Sequence, residues 1–159
     1  MYHPLISSYR EIEKEIIATA RELGVGIVAY SPLGRGFLSA AFSSLDELGQ
    51  DDWRRTQPRF SAENFAKNVQ SAFFDFAKKK GCTPAQLALA WLHAQGEDIF
   101  PIPGTKSPVR VEENLGAFQV ALSAEEAVEL ADIVEKGSGA RYSADGMTST
   151  FDGRAGESL

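Results

Sequence analysis

The sequence predicts an α/β fold in which a parallel sheet is covered by helices. Two observations carry this reading. Two short apolar runs, residues 26–30 and 99–102, read as buried strands, and the stretches around them space their apolar residues for helices. The resulting order is helix, strand, long loop, two helices, strand, helix, helix, the alternation that builds a parallel sheet.

The elements follow in order. Residues 8–23 form a helix: Ser8 and Glu11 fit a capping box, Ile12, Ile16, Ala20 and Leu23 share one face, and Gly24 stops the run. The β-branched strand 26–30 runs into Ser31-Pro32-Leu33-Gly34-Arg35-Gly36, which breaks it. A long polar loop over 39–59 carries Asp46, Glu47, Asp51, Asp52, Arg54 and Arg55. A helix over 63–80 turns Phe65, Val69, Phe73, Phe76 and Ala77 to the core, and Gly81 ends it. Thr83 caps the next helix, 85–95, with Pro84 at its first position. That helix is apolar on most sides and is expected to be nearly fully buried. Strand 99–102 follows, then a helix from 108 to about 117. A second capping box, Ser123 with Glu126, opens a helix that reaches Lys136. From Gly137 the chain is rich in Gly, Ser, Thr and Asp and has no helical period, so 137–159 reads as an irregular or partly disordered tail.

Composition excludes several classes. A length of 159 residues suffices for a core, and 43% apolar with 24% charged residues is ordinary for a soluble globular protein. A net charge of −6 argues against a nucleic-acid partner. No apolar run approaches the roughly 20 residues that span a bilayer, so no membrane partner is expected. Cys82 has no cysteine to pair with, which suits a reducing, cytoplasmic compartment. Met1-Tyr2-His3-Pro4 is neither a signal nor a transit peptide and reads as the end of an element begun earlier.

Two segments carry candidate chemistry. In Ile102-Pro103-Gly104-Thr105-Lys106-Ser107-Pro108-Val109-Arg110, a strand passes through a glycine turn into a helix whose start holds Lys106, Ser107 and Arg110. Free N–H groups, the positive end of the helix dipole and two cations together suit a phosphate monoester. The same letters also fit a plain capped helix start with two solvated side chains. The second segment, Tyr30-Ser31-Pro32-Leu33-Gly34, also leaves the C-terminal end of a strand, the edge at which α/β proteins bind ligands. Tyr30 can stack on a planar group, and Ser31 with the backbone near Leu33 and Gly34 can donate to a pyrophosphate. A tight turn below a core tyrosine is the competing reading.

Other patterns fail on context. Gly24-Val25-Gly26 precedes its strand instead of following it, so it is no dinucleotide fingerprint, and the Gly104 turn lacks the spacing of a P-loop. His3 and His93 have no third ligand nearby, and no metal is expected. Cys82 precedes a capped helix whose N-terminus could lower its pKa, though reactivity is not expected of it.

Taken together, these segments resemble the aldo-keto reductase family over about residues 2–136. The resemblance is carried by Tyr2-His3-Pro4, by Gly26-Ile27-Val28-Ala29-Tyr30-Ser31-Pro32-Leu33-Gly34, by Thr83-Pro84-Ala85-Gln86-Leu87-Ala88-Leu89-Ala90-Trp91-Leu92, and by Pro103-Gly104-Thr105-Lys106 through Glu113-Asn114. It implies a (β/α)8 TIM barrel binding NADP(H) at its C-terminal rim, with reduction of aldehydes and ketones to alcohols as the reaction. Tyr30 would stack on the nicotinamide, Ser31, Leu33 and Gly34 would line the pyrophosphate, and Lys106, Ser107 and Arg110 would hold the 2′-phosphate. Glu113 and Asn114 would contact the adenine. The loop after Gly36 corresponds to one that folds over the cofactor in relatives.

The resemblance also places Tyr2-His3-Pro4 just after the sixth strand. The family's catalytic Asp, Tyr, Lys and His come before that point, so no catalytic residue is assigned here. Residues 1–136 are then expected to be the C-terminal part of a barrel, which in full needs about 250 residues. Three consequences are expected: a carbonyl substrate handled only in a complete barrel, exposed apolar patches where the apolar helix 85–95 loses its cover, and self-association through open sheet edges. Two alternatives remain at this stage, a non-catalytic NADP-binding regulatory or interaction subunit and a different phosphate-binding barrel fragment.

Overall fold

A computed structural model of the chain describes residues 10–68, 71–134, 139 and 143. In chain order the regular elements are α1 (Arg10–Glu22), β1 (Ile27–Tyr30), α2 (Ala62–Asn68), α3 (Ser71–Lys80), α4 (Pro84–His93), β2 (Ile99–Ile102), α5 (Pro108–Leu115) and α6 (Ala124–Val134), joined in places by short 3-10 turns. The described residues form two compact units. One holds α1, β1, α3 to α6 and β2; the other holds residues 42–68 with 139 and 143.

In the first unit β1 and β2 pair in parallel, with Ile27 opposite Ile99 and Tyr30 opposite Ile102. Ile27, Ala29 and Ile99 are buried, whereas Val28, Phe100 and Ile102 on the other face are each more than half exposed. The expectation of a buried strand at 26–30 is met on one face only: among the described residues, helices cover one face of a two-stranded sheet. α1 departs in the same way. Of its predicted apolar face, Leu23 is 70% exposed, Ile16 lies at the surface and Ala20 is half-buried. A two-stranded sheet leaves α1 little surface to cover. The predicted stop is where it was placed: Gly24, at φ 66°, lets the Val25 N–H reach the Ala20 carbonyl at 2.8 Å and donates its own N–H to Arg21 at 3.1 Å. The predicted cap at Ser8 lies outside the described residues.

Below the sheet, Arg21 ties α1 to the entry of β2. Its guanidinium donates to both Asp98 carboxylate oxygens, at 2.8 and 3.0 Å, and to the Gln95 carbonyl at 2.6 Å. That contact holds the Asp98 carboxyl below the usual carboxylate range.

α4 is the centre of the core. Thr83 Oγ1 accepts from the Gln86 N–H at 3.2 Å while Gln86 Oε1 accepts from the Thr83 N–H at 3.0 Å, a complete capping box with Pro84 at the first position. Ala85 and the run from Leu87 to Leu92 are buried, as the composition required. The expectation that this helix loses its cover is corrected: α3, α5, β2 and the turns at Gly34–Ser39 and Gly116–Gln119 all lie against it. The Trp91 indole donates to the Ala127 carbonyl at 2.7 Å, which fastens α6. The Ser123–Glu126 box opens α6 as expected, and Lys80 pairs with Glu126 at 2.9 Å. The predicted end at Lys136 lies outside the described residues.

The second unit replaces the predicted polar loop with three 3-10 turns, Leu45–Glu47, Trp53–Thr56 and Pro58–Phe60. Ser44 and Glu47 form a capping box on the first. Arg55 donates to the carbonyls of Leu45, Leu48 and Gly49 and so closes the segment on itself. Asp52 caps the second turn and holds the Arg54 guanidinium, which pulls its carboxyl down to about 2. The Phe42 ring lies 6.2 Å from Phe60 and 5.8 Å from Phe65. The single helix predicted over 63–80 is described as α2 and α3 on either side of residues 69–70. Phe65, Phe73, Phe76 and Ala77 are buried as expected, and Val69 lies outside the described residues. So does the tail, apart from residues 139 and 143.

Candidate functional site

Parallel pairing fixes where the candidate residues fall. Because Tyr30 stands opposite Ile102 and the strands run the same way, the turn after β1 and the turn after β2 leave the sheet at the same end. The two segments singled out in the sequence are therefore neighbours, although more than 70 residues separate Tyr30 from Lys106.

The first turn is wound tightly. Ser31 takes φ 54°, a left-handed conformation costly for a residue with a Cβ, and Gly34 takes φ 58°. The Gly34 N–H donates to the Ser31 carbonyl at 3.0 Å, and the N–H groups of Gly36 and Leu38 both donate to the Leu33 carbonyl. Pro32, Phe37 and Leu38 are buried and anchor the turn. Tyr30, Ser31, Leu33 and Gly34 are half-buried above it. The Gly34 N–H is spent inside the turn, so donation from this loop to a ligand falls to its other groups, the Ser31 hydroxyl among them.

The second turn stays open. Thr105 Oγ1 accepts from the Ser107 N–H at 3.1 Å, and Pro108 begins α5. Ser107 occupies the cap position, yet its side chain makes no capping hydrogen bond. The N–H groups of Val109 and Arg110, in the first turn of the helix, have no helical carbonyl to meet. Lys106 and Arg110 are exposed, and neither has an ion pair or hydrogen bond among the described residues. Arg110 and Asn114 lie four residues apart and so share a face of α5. Glu113 and Asn114 are half-buried, and the Glu113 carbonyl accepts from the Gln86 side chain at 3.0 Å, which fixes α5 to α4. Thr105 was missed in the sequence. A hydroxyl residue two before a helix cap is a recognisable turn signal, and it would have found this one.

Of the remaining candidates, His3 lies outside the described residues, and His93 and Cys82 are partly buried. The His93 ring lies 4.6 Å from the Phe118 ring, and burial lowers its pKa. Burial also pushes the Cys82 thiol up, against the lowering that a helix N-terminus would bring. Among the described residues no group of three metal-ligating side chains converges, and no helix is long and apolar enough to cross a membrane.

The model of the aldo/keto reductase family matches residues 1–135. The glycerol dehydrogenase from Gluconobacter oxydans shares 29% identity over 77% of this chain and 38% of its own, with a TM-score of 0.69. A thermostable aldo-keto reductase solved with the inhibitor epalrestat shares 28% identity over 79% of this chain and 36% of its own, with a TM-score of 0.52. The aldose reductase from Schistosoma japonicum, at 20% identity and a TM-score of 0.56 over 99% of this chain and 39% of its own, shows a likeness of fold. The chain thus spans less than two fifths of the length of these relatives.

Proposed function

The chain belongs to the aldo/keto reductase family, and we propose that its part in that family's reaction is to hold NADP(H) at the end of the sheet where both turns emerge. The observation that carries this reading is the parallel register, with Tyr30 opposite Ile102. It sets an aromatic ring and a half-buried turn beside a helix N-terminus that carries two unpaired cations. The donor set fits the group. Lys106, Arg110, the free Ser107 hydroxyl and the N–H groups of the first turn of α5 suit a dianionic ribose phosphate. Glu113 and Asn114 follow on the same helix for the adenine. Tyr30 offers a flat face to the nicotinamide, and Ser31, Leu33 and Gly34 line the path of the pyrophosphate.

When bound, the reduced cofactor supplies the hydride that turns an aldehyde or ketone into an alcohol. This chain's residues orient that cofactor and neutralise its phosphate charge. No catalytic residue is assigned in this chain, Tyr30 serving as the stacking face. In this reading the chain is the C-terminal part of a (β/α)8 barrel, works in the cytoplasm, and does not reduce carbonyls by itself.

Calorimetric titration tests it. NADPH is expected to bind at least about tenfold more tightly than NADH, because about 1.4 kcal/mol from the phosphate contacts is a factor of ten. Lys106→Ala with Arg110→Ala removes that preference and leaves NADH binding unchanged. Equal affinities in the unaltered chain would overturn the reading.

A further inference from the structure

The Gln86 side chain serves two helices at once. Its Oε1 accepts from the Thr83 N–H at 3.0 Å at the start of α4, and its Nε2 donates to the Glu113 carbonyl at 3.0 Å in the last turn of α5. Both partners belong to helix ends, where backbone groups run out of helical partners. A capping box needs only the acceptor, and glutamate supplies it equally well. The amide adds a donor, and that donor is what reaches α5.

Gly116 keeps the space for it. Its φ of −59° and ψ of −16° are open to any residue, so no turn requires glycine there. A Cβ at this position would collide with the Gln86 amide nitrogen and lie 3.2 Å from its Cδ. The missing side chain at the end of α5 and the extra donor at the start of α4 are two halves of one contact. It grips α5 beside its candidate ligand groups: Glu113 itself, Asn114 next to it, and Arg110 three residues earlier, about 4.5 Å along the axis. So short a helix moves as a rod. A shift at the Glu113 carbonyl is carried to Arg110 and Asn114, and a displacement of about 1 Å is enough to weaken a positioned contact.

We propose that Gln86 is a positioning residue for the cofactor: through the Glu113 carbonyl it sets α5 so that Arg110 and Asn114 meet the ribose phosphate and the adenine. The inference rests on the reading that α5 holds NADP(H). Gln86 acts through the helix and is assigned no contact with the cofactor.

Titrations of the 159-residue chain and three variants with NADPH and NADH test it, with melting temperatures measured alongside. Gln86→Glu keeps the acceptor for Thr83 and replaces the donor with a second acceptor. Gly116→Ala adds no charge, leaves every polar group in place and swings the amide away. Both are expected to weaken NADPH binding about fivefold or more, the worth of one hydrogen bond. Thr83→Ala is the control: it removes the other half of the capping box and lowers the melting temperature at least as much as Gln86→Glu, yet leaves NADPH affinity within about twofold. A merely structural role would rank the binding losses by the stability losses. If the unaltered chain binds NADPH no better than NADH, the cofactor reading falls and the proposal with it. If that preference is present while Gln86→Glu and Gly116→Ala bind NADPH as the unaltered chain does, or Thr83→Ala weakens it as much as they do, the cofactor reading stands and the role of Gln86 is overturned.

Discussion

α4 and α5 open with the same pattern and meet opposite fates. Each has a hydroxyl residue at the cap and proline at the first position. Thr83 completes a reciprocal box with Gln86, and most of α4 is buried. Ser107 makes no capping bond, and α5 has no fully buried residue. The difference lies three residues on, where Gln86 reaches back to its cap and Arg110 does not. A glutamine satisfies the end of its own helix; an arginine leaves that end free and adds charge to it. One N-terminus is used up in holding the fold together, and the other is left without a side-chain cap.

The contrast can be broken most directly in the core. Leu87→Ala, at a fully buried position, is expected to lower stability by about 2–5 kcal/mol in urea denaturation. Val109→Ala on α5 should stay within about 0.5 kcal/mol. Similar losses at the two sites would remove the distinction. The caps come next in size. Thr83→Ala should cost about 1 kcal/mol, whereas Ser107→Ala should leave the melting temperature almost unchanged and weaken NADPH binding. Strain gives a smaller effect of opposite sign: Ser31→Gly, at φ 54°, should stabilise the chain by up to about 1 kcal/mol while reducing cofactor affinity.

The smallest effect is on pH dependence. Hydrogen bonds from the Ser123 N–H and from Lys80 hold the Glu126 carboxyl below its ordinary value of 4.5. A depressed folded-state value means that the stabilisation is present above that pH and is lost as pH falls through the lower, folded value. Acid titration of the melting temperature should therefore be shallower in Glu126→Gln, with NADPH binding at neutral pH unaffected. An unchanged acid limb would show that the Lys80 contact adds nothing.

Much of the fold could be read locally. Gly24 and Gly81 end their helices at the predicted places because a left-handed residue is needed there and glycine supplies it. α4 announced its burial through Leu87, Leu89, Trp91 and Leu92, which leave it no polar face. The candidate residues around Tyr30 and Lys106 were legible as two separate turns. Their shared rim followed from the predicted parallel sheet, whereas the register that sets Tyr30 opposite Ile102 had no local signal. The order of the 39–59 segment was hidden because charged residues do not ordinarily signal a folded turn. Arg55 and Asp52 supply it through carbonyls and N–H groups that no composition reveals. The Arg21–Asp98 pair joins residues 77 apart and leaves no local trace.

By itself, the sequence determined the kind and order of the elements, because helix stops, caps and apolar periodicity act over a few residues. It also determined the chemistry available at each strand end, since side-chain type is local. Tertiary structure alone decided the register of β1 on β2, with Ile27 opposite Ile99 and Tyr30 opposite Ile102, and so how the two turns line up at the end of the sheet. Those outcomes depend on which backbone groups face one another across the sheet, and that pairing is settled only when distant segments meet.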